Sequence, residues 1–277
     1  MPTPSDTATS PRPAEREQWV ELPQQGRIYT RRWTPESADA AAAPILLLHD
    51  SLGSVALWRD FPAALSAATG RSVIAYDRLG FGQSDARHDA PSLRFVAEEA
   101  EIQVPALLER LGIERFVAMG HSVGGGMAIL CAAHLRARCE ALVTIAAQVF
   151  AEQLTLQGIR VAKEQFKDAA QFARLARYHG EKARWVLQAW TETWLAPGFA
   201  NWSLQPDLAG VGCPVLAIHG EQDEYGSPRH ARLIGALSTG PARVEVLAGA
   251  AHMPHREQPE RVLALIAEFL GEPAARA

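Results

Sequence analysis

Lysine is almost missing: three occur in 277 residues (Lys163, Lys167 and Lys182), and no run of five or more basic residues exists. With a net charge of -4, the chain carries no electrostatic footprint for nucleic acid or for an anionic membrane. No apolar stretch approaches the roughly 18–20 residues needed to cross a bilayer. The first 17 residues, MPTPSDTATSPRPAERE, hold no apolar core and do not read as a secretory signal. Cysteine is scarce and odd in number: Cys131, Cys139 and Cys213, with no CxxC pair. That argues against a disulfide framework or a zinc site, and the expected compartment is a reducing cytoplasm. Disorder is excluded for the bulk of the chain by its 48% hydrophobic content. At about 150 residues per domain, the length allows one large domain or one domain carrying an insertion.

Between a Pro-, Ser- and charge-rich tail (residues 1–17, expected to be disordered) and a frayed end (Gly271–Ala277), β-rich runs alternate with helical patterns. Ile45–Leu48, Ser72–Tyr76, Arg115–Met119, Ala141–Ile145, Pro214–Ile218 and Arg243–Leu247 read as strands. Most are near-continuous apolar runs, as strands buried on both faces of a parallel sheet must be. Ser92–Leu111, Gly124–His134 and Glu260–Leu270 read as helices, so the expectation is a mostly parallel α/β sheet flanked by helices. Trp19–Leu22 and Arg27–Trp33 look like a strand pair at one edge, and Ala40–Pro44 like a linker. From about 148 to 206 no strand pattern occurs, yet nine of the twenty aromatics do. The expected division is a core of 18–147 and 207–271 with a helical cap, 148–206, inserted over its catalytic face.

The strongest chemical signal is Gly120-His121-Ser122-Val123-Gly124, between a buried strand and the small-residue helix that follows. GxSxG in that setting makes a tight strand-to-helix turn that lifts the serine hydroxyl out of the sheet. The Val123 N–H, at the helix start, is left to face an oxyanion. A serine needs a general base and a group to orient that base. His252, after the last strand and before the final helix, is the candidate, with His255 as rival. For the carboxylate, Asp223 lies in the turn-rich loop His219–Gly226, with Glu221 and Glu224 as competitors. The other seat, Ala146-Ala147-Gln148, offers no acid before Glu152. His49, His121 and His219 sit beside strands, whereas His88, His134, His179 and His230 read as surface or helix positions.

Together, the elbow GHSVG, the loop YDRLGFGQSD (Tyr76–Asp85), HGEQD (His219–Asp223) and HMPHREQP (His252–Pro259) resemble the α/β-hydrolase fold superfamily, over about residues 19–270. The likeness is greatest to its small, helically capped serine hydrolases. The last motif is similar to a His-x4-Glu-x-Pro ending and implies His252 as the catalytic histidine. Ser122, Asp223, His252 is also the order expected of that family's triad. By position, the resemblance implies the Ser51 N–H as second oxyanion donor. Asp50 stands where glycine is usual, and Ala251 stands where glycine commonly precedes the histidine. Asp77, Arg78, Gly80 and Ser84 fall in the family's structural loop. Trp58, His121, Trp190, Trp194 and His255 are the candidate pocket residues, the two cap tryptophans sharing one helix face.

The function this implies is a serine hydrolase that needs no metal or cofactor and cleaves a small apolar carboxylic ester or thioester. The alternative on the same residues is hydrolysis of a C–C bond in a vinylogous diketone. Aspartate-nucleophile dehalogenases and epoxide hydrolases are disfavoured by Ser122. A non-catalytic receptor on this fold would be expected to carry a damaged triad. The expected partners are the small substrate and, in the assembly, a second copy as homodimer, with neither nucleic acid nor membrane.

Overall fold

Alternate residues of each central strand face two different cores, which is why those strands are apolar throughout. Leu46, Leu48, Ile74, Ala118 and Leu142 point to one face, and Ile45, Leu47, Val73, Met119 and Val143 to the other. The computed structural model describes residues 12–37, 39 and 41–271. Eight strands form one sheet in the order β1-β2-β4-β3-β5-β6-β7-β8. They are β1 (Ala14–Leu22), β2 (Gly26–Thr34), β3 (Ile45–Leu48), β4 (Val73–Tyr76), β5 (Phe116–His121), β6 (Cys139–Ile145), β7 (Val215–Gly220) and β8 (Ala242–Leu247). The β1–β2 and β2–β4 pairs are antiparallel and all others parallel.

Helices α1 (Phe61–Thr69), α2 (Phe95–Glu98), α3 (Val104–Arg110) and α4 (Val123–His134) alternate with the first strands. Between β6 and β7 lie α5 (Gln153–Gln165), α6 (Ala169–His179), α7 (Ala183–Leu195) and α8 (Gln205–Leu208). The chain ends its described part with α9 (Arg229–Leu237), α10 (Pro254–Glu257) and α11 (Pro259–Gly271). One face packs on α3 and α4 through Leu107, Met127 and Ile129, and the other on α1 and α11 through Leu65, Val262 and Ile266. Burying each such side chain stabilises by roughly 1.5–3 kcal/mol.

Several sequence expectations are revised. Strand β1 starts at Ala14, inside the expected tail, and pairs with β2 from Ala14↔Thr34 onward. Its outer residues Glu15, Arg16 and Glu17 are exposed, so the strand is polar because it is an edge. The remaining tail, residues 1–11, and the end 272–277 lie outside the described residues, but Gly271 closes α11 rather than fraying. The expected helix Ser92–Leu111 is broken by a π-helical segment, Glu99–Gln103. Pro105 accounts for it: proline cannot donate to the carbonyl four residues back, and its ring crowds that carbonyl. The helical segment between β6 and β7 leaves and rejoins at one place. There Phe150 bridges Ser203, Ala151 N–H donates to Trp202 O at 3.0 Å, and Leu204 N–H donates to Val149 O at 2.7 Å. The expected boundary at 206/207 falls inside α8, which packs against α4 and α9 of the core.

Candidate active site

Strand β5 runs two residues beyond its expected end, so His121 is its last residue and Ser122 is the hinge into α4. Ser122 has φ 56° and ψ -127°, a left-handed conformation that costs a non-glycine residue roughly 1–3 kcal/mol. Its neighbours explain the glycines of the elbow. A Cβ on Gly120 would lie 2.1 Å from Gly124 O, and one on Gly124 would lie 2.2 Å from Leu48 O. The Ser122 N–H donates to Ile145 O at 2.9 Å, tying the turn to the end of β6.

Three side chains from three strand ends meet in a line. Ser122 Oγ lies 3.0 Å from His252 Nε2, and His252 Nδ1 lies 2.9 Å from both carboxylate oxygens of Asp223. Asp223 Oδ1 also accepts from the N–H groups of Tyr225 at 2.7 Å and Gly226 at 3.2 Å, and His219 Nε2 stands 3.2 Å from Oδ2. Burial pushes the Asp223 carboxyl up, but the bonds from His219 and His252 overcome it and hold the group well below the ordinary carboxylate range. Burial acts to lower His252, and the Asp223 hydrogen bond and charge outweigh it, so the imidazole is raised above its ordinary value. The competitors Glu221 and Glu224 are exposed.

The spacing of the His252 motif has a mechanical cause. Glu257 accepts from the N–H groups of Ala251 and Met253 (Oε1 to Met253 N, 3.1 Å), stapling the loop on both sides of the histidine. Gly220 permits this loop to close on β7, since a Cβ there would meet Ala251 O at 2.1 Å.

The loop after β3 is shaped by Asp50. Its Oδ1 accepts from Leu52 N–H at 2.9 Å and its carbonyl from Gly53 N–H at 3.2 Å, a turn that leaves Ser51 between them. Burial would raise the Asp50 carboxyl, yet His121 beside it and the Leu52 N–H hold it far below its usual range. Val123 is the first residue of α4, where a helix leaves its N–H groups without internal partners. Asp77 belongs to the framework: it accepts from Val55 and Gln83 N–H at 2.6 and 2.7 Å, and its carbonyl accepts from Ser84 Oγ at 2.6 Å.

A cavity of about 250 Å³ opens on Ser122 and His252. Of the expected pocket residues, His121 and Trp190 line it, beside Ser51. Trp58, His255 and Trp194 do not. Trp58 and His255 pack on each other at 5.2 Å and on Phe61, a buried wedge beneath His121. Burial pushes His255 well below the ordinary histidine value and keeps it neutral, unfit to replace His252. Trp194 is 2% exposed and packs edge-on against Phe199 and Trp202. Of the nine aromatics of residues 148–206, Trp190 alone lines the cavity, beside aliphatic Ile159.

Three contributors went unread in the sequence. Gln148 Oε1 lies 3.2 Å from Ser122 Oγ, a second acceptor for the one hydroxyl proton that His252 also draws. Tyr225 lines the cavity 4.9 Å from the His252 ring. His179, read as a surface or helix position, is the last residue of α6 and is buried; its Nδ1 accepts from Gly82 N–H at 2.9 Å and its Nε2 donates to Leu52 O at 3.0 Å. His230, read in the same way, is on α9 and fully buried beside Glu152. No sequence spacing signals these contacts, because each joins segments distant along the chain.

The model of the family described as alpha/beta hydrolase fold matches residues 43–259. The chain is 29% identical over 255 residues to the pimeloyl-[acyl-carrier protein] methyl ester esterase of Edwardsiella ictaluri, covering 83% of this chain and 94% of that protein. It is 26% identical over 259 residues to a 2-hydroxymuconate semialdehyde hydrolase of a Pseudomonas species, covering 86% and 90%. Mammalian relatives reach 32% identity over 110 residues, 40% of this chain, and the match spans only 31% of their length. Among solved structures, the proline iminopeptidase of Mycobacterium smegmatis superposes with a TM-score of 0.70 at 23% identity, over 92% of this chain and 97% of that one. Among the described residues no helix is long and apolar enough to cross a membrane. The chain belongs to the alpha/beta hydrolase fold family.

Proposed function

We propose that this chain is a serine hydrolase that cleaves a small apolar carboxylic ester or thioester through an acyl-enzyme on Ser122. The observation that carries the reading is the hydrogen-bonded line Ser122–His252–Asp223 at 3.0 and 2.9 Å. Ser122 Oγ attacks the carbonyl carbon while His252 Nε2 takes its proton. Asp223 holds the imidazole in the tautomer with Nε2 free to accept, and stabilises the imidazolium. The N–H groups of Val123 and Ser51 receive the oxyanion, each worth roughly 3–4 kcal/mol of barrier. His252 then protonates the leaving alcohol or thiol, and activates the water that releases the acid and restores Ser122. The helices of residues 148–206 act as the cap, with Trp190 and Ile159 supplying an apolar ceiling.

An ester substrate is favoured by the esterase relative that matches 94% of its own length. The second reading, C–C bond hydrolysis of a vinylogous diketone on the same triad, is favoured by the semialdehyde hydrolase relative. The purified protein tested on 4-nitrophenyl acetate and butyrate, and separately on a ring-cleavage dienoate, decides between them. Ester turnover without dienoate turnover is expected; the reverse would replace the ester reading.

A further inference from the structure

The β1–β2 strand pair treats its arginines differently on its two faces. On the face that carries Tyr29 and Trp33, the Arg31 guanidinium is neutralised by the carboxylates of Glu15 and Glu17. On the face that carries Val20, Leu22 and Ile28, Arg16 and Arg32 stand directly opposite each other in the antiparallel register. The ion pairs of these strands go to Glu15, Glu17, Arg27 and Arg31, and among the described residues Arg16 and Arg32 have none. Like charges directly opposite each other destabilise a strand pair.

A third arginine completes this face. Arg110, the last residue of α3 and likewise without an ion pair among the described residues, joins Arg16 and Arg32 around a recess of about 210 Å³. Buried Thr30 and Ile74 form its floor, and Gln18 is part of its wall. Thr30 Oγ1 donates to Gln18 O at 3.1 Å, which leaves the arginines and the Gln18 amide as the side-chain donors. Among the described residues no carboxylate lines the recess; Glu109, one residue before Arg110, lines a different one. Arg32 pairs with Ile74 in the first half of β4, and α3 leads into the amino end of β5. The recess therefore lies at the end of the sheet opposite Ser122 and shares no residue with the catalytic cavity.

We propose that this recess binds a phosphate dianion, free or as the ester of a small soluble molecule. Three positive charges with no carboxylate among them select an anion over a neutral ligand. Guanidinium forks match the oxygens of carboxylate and phosphate. A monocarboxylate offsets one of the three charges and offers two oxygens, whereas a phosphate dianion offsets two and has oxygens enough for more than one fork. The recess is nearly as large as the catalytic cavity, which leaves room for a short organic stem on the phosphate. A soluble source fits a chain of net charge -4 with no basic run for a membrane surface to attract. Occupancy removes the conflict between Arg16 and Arg32, so the ligand also stabilises the β1–β2 edge.

The site is independent of the reaction at Ser122, and Ser122→Ala should bind phosphate as the wild type does. The full chain is titrated by calorimetry at constant ionic strength and about pH 8, where phosphate is a dianion. The probes are inorganic phosphate, glycerol 3-phosphate and, as the membrane arm, vesicles of phosphatidylcholine and phosphatidic acid. A dissociation constant of about 1 mM or tighter is expected for at least one soluble phosphate. Arg16→Gln and Arg32→Gln should each weaken it about 10-fold or more, and Arg31→Gln, on the other face, should change it less than about three-fold. Both pocket variants should also lose the rise in melting temperature that phosphate gives the wild type. The same melts show that each variant folds, and Arg110→Gln replaces any that does not. Absence of both heat and melting shift with the soluble phosphates, binding that the pocket variants retain, or association with vesicles alone overturns the site.

Discussion

The carboxyl ends of β5, β7 and β8 and the helical segment between β6 and β7 use burial in opposite ways. At the strand ends, backbone contacts fix the atoms. Ser122 is locked by glycines that no Cβ can replace, Asp223 by two N–H groups, and the His252 loop by the Glu257 staple. In the helical segment, side chains decide. Two tryptophans one turn apart on α7 have different fates: Trp190 lines the cavity over Ser122, and Trp194 is sealed against Phe199 and Trp202. On the proposed function, the difference teaches that chemistry is set by the main chain of the core, and selectivity by a few side chains outside it. Changes at the strand ends should therefore act on every substrate alike, and changes at the cavity ceiling on some substrates only.

The largest effect should come from the serine and its base. Ser122→Ala or His252→Ala should each lower kcat by about 10⁴–10⁶, on all esters equally. His255→Ala, two rings away, should lower the melting temperature and leave most of kcat. Comparable losses at both histidines would break the assignment. Asp223→Asn comes next, at about 10⁴ in kcat, because the amide favours the wrong imidazole tautomer. A loss of ten-fold or less would move the orienting role to another acid.

Smaller effects test the helical side. Trp194→Ala should cost about 3–5 kcal/mol of stability with kcat/KM nearly unchanged in the fraction that folds, measured by denaturant unfolding beside kinetics. Trp190→Ala should do the reverse, raising KM for long-chain esters by about 10-fold while sparing acetate. Matching behaviour in the two variants would erase the distinction between wall and core. The smallest shift is in pH. His252 is raised and must be neutral to act, so activity is lost as pH falls through that raised value. The acidic limb of kcat/KM should lie above about 6.5, the ordinary histidine value. A limb below it would mean that Asp223 does not hold the imidazolium in the free enzyme.

The sheet was legible because strands covered on both faces cannot hide their apolar continuity, and the elbow because its glycines are demanded by close backbone approach. Strand β1 was read too short for the converse reason: an edge strand gains its hydrogen bonds on one side and can carry Glu15, Arg16 and Glu17 outward. Helical spacing placed Trp190 and Trp194 on one face correctly, yet spacing reports direction and not depth. Depth is set by what packs around the ring, and the rings of Phe199 and Trp202 close around Trp194. Gln148, Tyr225 and His179 reach the site from loops and helix ends that only the closed fold brings together. Their residue types carry no signal of it.

Ser122 as an activated nucleophile is the claim on which the rest depends, and covalent labelling tests it most directly. The protein is treated with a fluorophosphonate at neutral pH, and the adduct is located by peptide mass spectrometry. One adduct on Ser122 is expected, formed slowly in His252→Ala and absent in Ser122→Ala. Labelling at another residue, or no labelling of a protein that still turns over esters, would contradict the account.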